Sequence, residues 1–556
     1  GPRGQGAFHP LKLGAAPAQV TLAPGARQNL KVSLEGTGIG PARVSVRLGG
    51  PDGLSIVRDY ALEVRPAYPA ISRRSVTALA PGASLTLSGD LVADLVPGTG
   101  RVTVSAGGDP AFDVPALMVA LDRYPFACSE QLTSRAMPLL YAAELAKSSD
   151  LMTGLDLKND PGKTIRDAIA RLVARQGSDG SFGLWQAGGN DLFLDSYVTD
   201  FLTRARERGF AVPDVPFRLA LDRLRNALAY ANDGATDDGD AYAIYVLARN
   251  GRAPLGDLRY VADAKMADVS SHFARGNIAA ALGLLGDKGR AEKAFAAALE
   301  LLPEQPEADL LGRADFGSQL RDAAGVATLA AEGGFPGPAR TARARAVTIG
   351  NDVTATSTQE DAWLLMAARA AREGRGVSLD IDGTAHSGLF ERIFEPAGLT
   401  AHRTVLPNRG SAPVDVAVSI DGPPSSPEPA AANGFALKRS YFDLAGNPAD
   451  PSNVQQNQRL VVVIEAQEDE YAPSQVMIVD WLPAGFEIDN PALAAGSDAG
   501  ALAWLGDTPG TAQAEFRDTH FLAAGQRTHS FERPALFRVG SLLPPRVPGR
   551  FTRLLS

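Results

Sequence analysis

The chain has 556 residues, 45% hydrophobic and 21% charged, an ordinary globular balance, and its length suits about three or four domains with sizeable cores. A formal charge of −9 without a basic cluster argues against nucleic acid as a partner. A single cysteine excludes an intrachain disulfide framework and a cysteine-based zinc site, and no run of about 18 apolar residues is present to span a membrane.

Residues 1 to about 120 read as β. Leu30–Leu34, Arg43–Leu48 and Arg101–Val104 alternate apolar with polar at a period of two, and turn residues cluster at Gly36–Gly40, Gly49–Gly53 and Pro97–Gly100. Leu22-Ala23-Pro24-Gly25 recurs as Leu79-Ala80-Pro81-Gly82, each time ahead of a strand-like run, which predicts two β-sandwich pieces parting near Pro66–Pro69. The first residue is Gly1, with neither Met nor a signal peptide, so either a mature N-terminus lies upstream or the chain is a fragment.

The lone cysteine follows in Tyr124-Pro125-Phe126-Ala127-Cys128-Ser129-Glu130-Gln131. A glutamine three positions after a cysteine has a chemistry of its own. The thiol can attack the side-chain carboxamide, ammonia leaves, and a thiolactone ring closes between Cys128 Sγ and Gln131 Cδ. The product stores an acyl group on a good leaving group, ready for any nucleophile that reaches the carbonyl. The plainer alternative is that Cys128 is a small buried hydrophobe, the commonest role of an isolated cysteine. Tyr124 and Phe126 read either as a lid over such a bond or as packing at a helix entry. Glu130 is a first-turn acid at a helix N-terminus, where a carboxylate is mildly favourable in any case.

From about 121 to 375 the period becomes helical, with blocks at Ile165–Arg175, Leu192–Glu207, Phe217–Tyr230, Ala241–Arg249, Ile278–Leu285, Arg290–Leu302, Gln319–Ala331 and Gln359–Arg372. So many consecutive amphipathic helices imply a helical solenoid or toroid. Trp185 and Trp363 are expected to fill layers between helices. Strand alternation returns at Val377–Ile381 and Val414–Ile420, which would finish the interrupted sandwich and make the helical region an insertion. Gly422–Ala432 reads as a linker, and Arg459–Glu465 with Val476–Leu482 opens a last sandwich. The final stretch, Arg527–Ser556, has little alternation and makes no convincing strand. The six histidines are scattered without metal-type spacing, and neither a phosphate loop nor a nucleophile elbow is found.

The segment Tyr124–Tyr141, YPFACSEQLTSRAMPLLY, resembles the thioester signature of bacterial alpha-2-macroglobulins, relatives of the complement thioester proteins. Gln176–Trp185, Tyr197–Thr199 and Ser357–Trp363 are similar to blocks of that family's thioester domain. Lys438–Phe442 and Asp480–Pro491 resemble its C-terminal macroglobulin-like domain. The resemblance implies a multidomain α+β chain in which β-sandwich domains flank an α/α-toroid thioester domain inserted in a CUB-like β-sandwich. The implied division is a macroglobulin-like piece at 1–66, CUB-like parts at 67–120 and 376–425, the toroid at 121–375 and a last macroglobulin-like sandwich at 433–556.

It also implies a function: a single-use protease inhibitor, not a turnover enzyme, in which a Cys128–Gln131 thioester captures target proteases through their lysine amines. Tyr124 and Phe126 would shield the bond and Glu130 would support it. No cofactor or metal is called for. By analogy with the family, the full-length protein would be periplasmic, held at the inner membrane by an upstream lipid anchor, with a peptidoglycan-synthesising penicillin-binding protein as a further partner. The bait region that proteases cut would lie upstream of Gly1. In complement-like relatives a histidine midway through the thioester domain steers the bond towards hydroxyls. The matching stretch, Asp237–Tyr245, has none, and His272 lies further along, so direct attack by amines is expected. Cover is expected from two sides, Tyr124 and Phe126 on the same loop and a C-terminal domain laid across them, but the family's aromatic closing loop is not recognisable past Arg527, so the second half of that cover is not assured by the resemblance. Two rival readings remain: an inert scaffold or adhesion module, and a toroid enzyme similar to terpenoid cyclases, whose Asp-x-Asp-Asp acid is not found here.

Overall fold

The computed structural model describes residues 10–543 except 16–18, 107–111, 143–159, 231–236, 302–312, 354–355, 371–376, 430–434, 456–457, 469–473, 483–485, 490–502, 506–510, 518–519, 528–535 and some single positions, Pro125 among them. Expectations resting on Pro125, on Pro483–Gly485, on Asn490–Pro491 and on the tail past Leu543 lie outside the described residues.

The chain opens with β1 (Leu11–Leu13) paired to β2 (Leu34–Gly36), then a hairpin of β3 (Gly40–Gly49) and β4 (Ser55–Val64). The strand expected over Leu30–Leu34 begins only at Leu34. Leu30 and Val32 stay exposed, because alternation makes a strand only where a neighbouring edge supplies ladder hydrogen bonds.

The next sandwich is assembled from both sides of a long helical excursion. β5 (Ile71–Leu79), β6 (Ser84–Leu87) and β7 (Arg101–Ala106) precede it. β8 (Val377–Ile381), β9 (Thr384–Gly388), β10 (Phe390–Phe394), β11 (Thr404–Pro407) and β12 (Val414–Gly422) follow it. One antiparallel sheet runs β10-β7-β12-β5, while β6 pairs with β11 and β8 with β9. Thr103 lies opposite Ser419, 316 residues later. Leu87, Val102, Val104, Leu379, Leu406 and Val416 form the shared core. The helices are therefore an insertion, as the returning alternation predicts.

The insertion starts earlier than 121. Helix α1 (Val114–Arg123) is capped by Asp113, whose carboxylate accepts from the Ala116 amide at 3.3 Å and from Ser419 Oγ of β12 at 2.8 Å, tying the helical part to the sheet. There follow α2 (Ser129–Ala136), α3 (Pro161–Val173), α4 (Leu192–Glu207), α5 (Asp214–Ala229), α6 (Asp238–Arg249) and α7 (Leu255–Tyr260). Then come α8 (His272–Leu284), α9 (Lys288–Leu301), α10 (Gln319–Glu332), α11 (Pro336–Asp352) and α12 (Thr358–Ala370).

Helices α2, α4, α6, α8, α10 and α12 touch one another in succession, and α12 returns to α2, closing a ring. These inner helices are buried almost all round, whereas α3 and α5 in the outer layer bury one stripe, the division expected of an α/α toroid. Trp363 is fully buried in the ring between Tyr197 and Phe273, with ring centroids 6.5 and 5.0 Å away. Arg204, also fully buried, donates to Asp200 at 2.9 Å and to Glu332 at 2.8 Å, so the buried charge is compensated.

Among the described residues, the last sandwich has two three-stranded sheets. β13 (Phe435–Phe442), β14 (Leu460–Glu468) and a closing strand β18 (Leu536–Leu543) form one; β15 (Ser474–Trp481), β16 (Thr511–Phe516) and β17 (His520–Arg527) form the other. The closing strand corrects the expectation for the tail. Leu536–Leu543 pairs along β14, whose Val462 and Ile464 offer an apolar face that Val539 and Leu543 complete.

Candidate functional site at the start of the inner helix ring

Helix α2 begins with an unusual cap. Cys128, in extended conformation, is the N-cap, and its Sγ accepts from the Gln131 backbone amide at 3.4 Å. The Gln131 side chain reaches back, its Oε1 accepting from the Cys128 backbone amide at 3.0 Å. This is a capping box in which cysteine and glutamine hold the positions usually taken by Ser or Thr and Glu. The reciprocal bonds bring the sulfur and the carboxamide onto one helix turn, and both residues are buried. The Cys128 N–H also points at the oxygen that would carry negative charge if a nucleophile added to Cδ. Gln131 Nε2, the atom that would leave, donates to the Tyr124 hydroxyl at 3.2 Å.

The segment around residues 175–189 clamps this turn. Ser129 N donates to Leu184 O at 2.8 Å and Ser129 Oγ to Gly183 O at 2.7 Å, while Arg175 Nη1 donates to Leu184 O at 3.2 Å and Ser129 Oγ at 3.3 Å. Gly183 is required there, because a Cβ would lie 2.0 Å from Gln186 O. Below the turn, buried Glu130 accepts from Ser134 Oγ at 2.6 Å and from Thr358 Oγ1 at 3.2 Å, with its Oε2 4.0 Å from Cys128 Sγ. Ser134 in turn meets the Tyr197 hydroxyl at 2.8 Å.

The last sandwich covers the turn from outside. Along β17, Phe521 and Ala523 face their own core, whereas Leu522 and Ala524 pack on Phe126, the period of two separating the faces. Met477 and Val479 of β15 and Tyr124 join the same cluster. Trp185 belongs there too, half-buried over Phe126. That corrects its expected place between helices, since it sits on the clamping loop and not on a helix. Phe126 meets Tyr124 edge-on at 5.5 Å and His520 at 5.9 Å, and His520 lies 4.8 Å from Trp481. Sequence reasoning missed Leu522, Ala524 and His520, and no spacing could have singled them out.

Burial pushes the Cys128 thiol well up, and the nearby Glu130 adds to it, so the group is a neutral thiol at ordinary pH. Burial also raises Glu130 to about 7, although the Ser134 and Thr358 hydroxyls and Arg321 oppose it. Burial raises the Tyr124 phenol as well, with Glu130 and Cys128 adding to it. His272 faces Asp322, Arg313 and Arg275, whereas the charged groups that face Cys128 are Glu130 and Arg175. Five side chains singled out in the sequence, those of Tyr124, Phe126, Cys128, Glu130 and Gln131, thus meet in one place.

Comparison with known proteins places this geometry. Residues 434–532 match the model of the bacterial alpha-2-macroglobulin MG10 domain. Alpha-2-macroglobulin of Escherichia coli K12 is 28% identical over 553 residues, 92% of this chain and 32% of the relative, and that of Xylella fastidiosa Temecula1 is 28% identical over 93% of this chain and 33% of its own length. A crystal structure of native E. coli alpha-2-macroglobulin from domain MG7 to the C-terminus superposes with a TM-score of 0.83 at 26% identity, covering 98% of this chain and 88% of that one. Over nearly all of its length the chain resembles the bacterial alpha-2-macroglobulins. It corresponds to their C-terminal portion and spans about a third of the length of the curated relatives it matches. The crystal structure of a Salmonella alpha-2-macroglobulin reacted with methylamine superposes with a TM-score of 0.81 at 27% identity over 98% of this chain and 36% of its own.

Proposed function

We propose that Cys128 and Gln131 condense to an internal thioester, and that this chain is the reactive portion of a protease inhibitor that couples once, covalently, to amines. The reciprocal hydrogen bonding of the two side chains carries the proposal: the nucleophile and its electrophile share one buried turn, with an amide N–H on the carbonyl oxygen. The existence of a methylamine-reacted Salmonella relative supports an amine as the attacking group. Protease lysines would be the natural amines, with Tyr124 and Phe126 shielding the bond until it is needed. A periplasmic location, an anchor outside this chain and a cell-wall synthase as partner belong to the same proposal.

The reading is tested by incubating the native chain with radiolabelled methylamine and mapping the label. One equivalent on Gln131, together with one newly released thiol, is expected. Label elsewhere, or none with a thiol already titratable in native protein, sinks it.

A further inference from the structure

Beyond the two ring-forming residues, the site contains a buried acid that capping does not account for. Glu130 is 6% exposed on a helix whose N-terminal amide is already satisfied by Cys128, and its two oxygens are held by Ser134 Oγ and Thr358 Oγ1 from two different helices. Its Oε2 is 4.0 Å from Cys128 Sγ, with the thiol as the donor. Burying a carboxylate costs several kcal/mol unless something is gained, and a structural role would be served as well by a neutral amide.

We propose that Glu130 is the proton-transfer group of the thioester site, taking the proton from the Cys128 thiol as the ring closes and returning it when the ring opens. This inference rests on the thioester reading above. In closure the Sγ–H proton moves to the Glu130 carboxylate, the sulfur forms its bond to Gln131 Cδ, and the carbonyl electrons move to Oε1, held by the Cys128 N–H. The tetrahedral adduct collapses as the Cδ–Nε2 bond breaks, and the proton passes from Glu130 to the departing nitrogen. One ammonia leaves and the carboxylate is restored, so atoms and charge balance without a further reagent. Opening by an amine runs the same path backwards: the amine nitrogen bonds to Cδ, its proton goes to Glu130, and Glu130 protonates the leaving sulfur.

The need for such a group follows from the site itself. The buried thiol is neutral, so it must lose its proton to attack, and a bare thiolate is a poor leaving species there. Glu130, held at about 7 chiefly by burial, can both accept and donate near neutral pH. Several other groups face this pocket. Ser134 lies on α2, Tyr124 on the preceding loop, Tyr197 on α4, Arg321 on α10, and Thr358 on α12. Arg175 faces the sulfur. Asp361, also on α12, faces Tyr124 and is likewise raised by burial to about 7, so it is the rival source of any pH response.

The experiment uses the full chain in four forms: wild type, Glu130→Gln, Ser134→Ala and Asp361→Asn. Denatured intact mass scores the ammonia lost on ring closure, and thiol release by methylamine is followed against pH, corrected for free amine. For wild type, complete ammonia loss and a rate break near pH 7 are expected. Glu130→Gln should lose ammonia incompletely and react about a hundredfold more slowly, with no break. Ser134→Ala keeps the carboxylate but removes a hydrogen bond that lowers its pKa, so the break should move to higher pH even if the glutamine variant fails to fold. Ammonia loss and methylamine rates at wild-type levels in Glu130→Gln would overturn the proposal. So would a break that persists there and vanishes in Asp361→Asn, or one that stays put in Ser134→Ala. If wild type itself retains its ammonia, the thioester reading fails instead, which is a separate outcome.

Discussion

Replacing Leu522 by Ala tests whether the last sandwich keeps water from the Cys128–Gln131 pair. Leu522 is fully buried although it points away from its own core, so its cover is the Phe126 cluster. Truncating it empties the seam and leaves Phe521 and Ala523 packed inside the sandwich. Buried Leu→Ala changes cost 2–5 kcal/mol, and a seam that can close up falls at the low end, about 2 kcal/mol. If hydrolysis proceeds from a separated state, that raises its population, and the rate, about 30-fold. The assay is the appearance of free thiol over hours at fixed pH and temperature. Phe126→Ala should act similarly, and the double variant should fall short of the product of the two, because both remove one contact. A Leu522→Ala rate within about threefold of wild type, below ~0.7 kcal/mol, would refute the shielding argument.

Tyr124→Ala is expected to hasten thiol appearance more than Tyr124→Phe, since the phenylalanine keeps the ring against Phe126 and loses only the hydroxyl; equal rates in both would assign the effect to the hydroxyl alone. Methylamine should be incorporated far better than glycerol, because Glu130 and Arg175, not an imidazole, face the sulfur; equal incorporation would point to His520, the imidazole against Phe126. Burial would raise Glu332, but Arg204, Arg249 and Arg369 outweigh it and hold it down to about 2, against about 4.3 unfolded. Its contribution, about 3 kcal/mol, is therefore complete above pH 4.3 and lost as pH falls towards 2. Glu130 and Asp361 run the other way: raised to about 7, they favour folding below their unfolded values and oppose it as pH rises through 7. Melting temperature should thus peak near pH 4, where the unfolded carboxylates titrate, and Glu130→Gln should flatten only the alkaline side; a profile flat from pH 3 to 8 contradicts both. Cys128→Ser should leave melting almost unchanged, whereas Cys128→Ala should lower stability by about 1 kcal/mol through the lost cap, a difference chemical denaturation resolves.

What could be read from the sequence was mostly local. Cys128 and Gln131 stand three apart, and at a helix start that spacing is already the geometry of a capping box, so the pair was legible without the rest of the fold. Leu192–Glu207 was legible for a similar reason, its apolar content continuous and its ends marked. Helix α11 was not: Pro336 opens it at the first position, where proline is tolerated, but Arg343, Arg345 and Thr348 between Ala342, Ala346 and Ile349 hide a narrow buried stripe. The strand expected from Leu30 failed because alternation says nothing of whether an edge is there to pair with. The tail misled in the opposite sense, since Leu536–Leu543 has little alternation yet finds a ready partner in β14. The cover over the thiol lay furthest out of reach. Leu522 meets Phe126 across the whole helical insertion, and which face of β17 turns outward is decided by two sheets packing, not by any pattern within the strand.

The central claim is that Cys128 and Gln131 are joined in the native chain. Intact mass of freshly purified, denatured protein, with and without prior methylamine, tests it most directly. The account predicts a native chain lighter than its sequence by one ammonia, with no titratable thiol, and a treated chain heavier by one methylamine with one thiol released. A native mass equal to that of the sequence, unchanged by methylamine and accompanied by one free thiol, would contradict it.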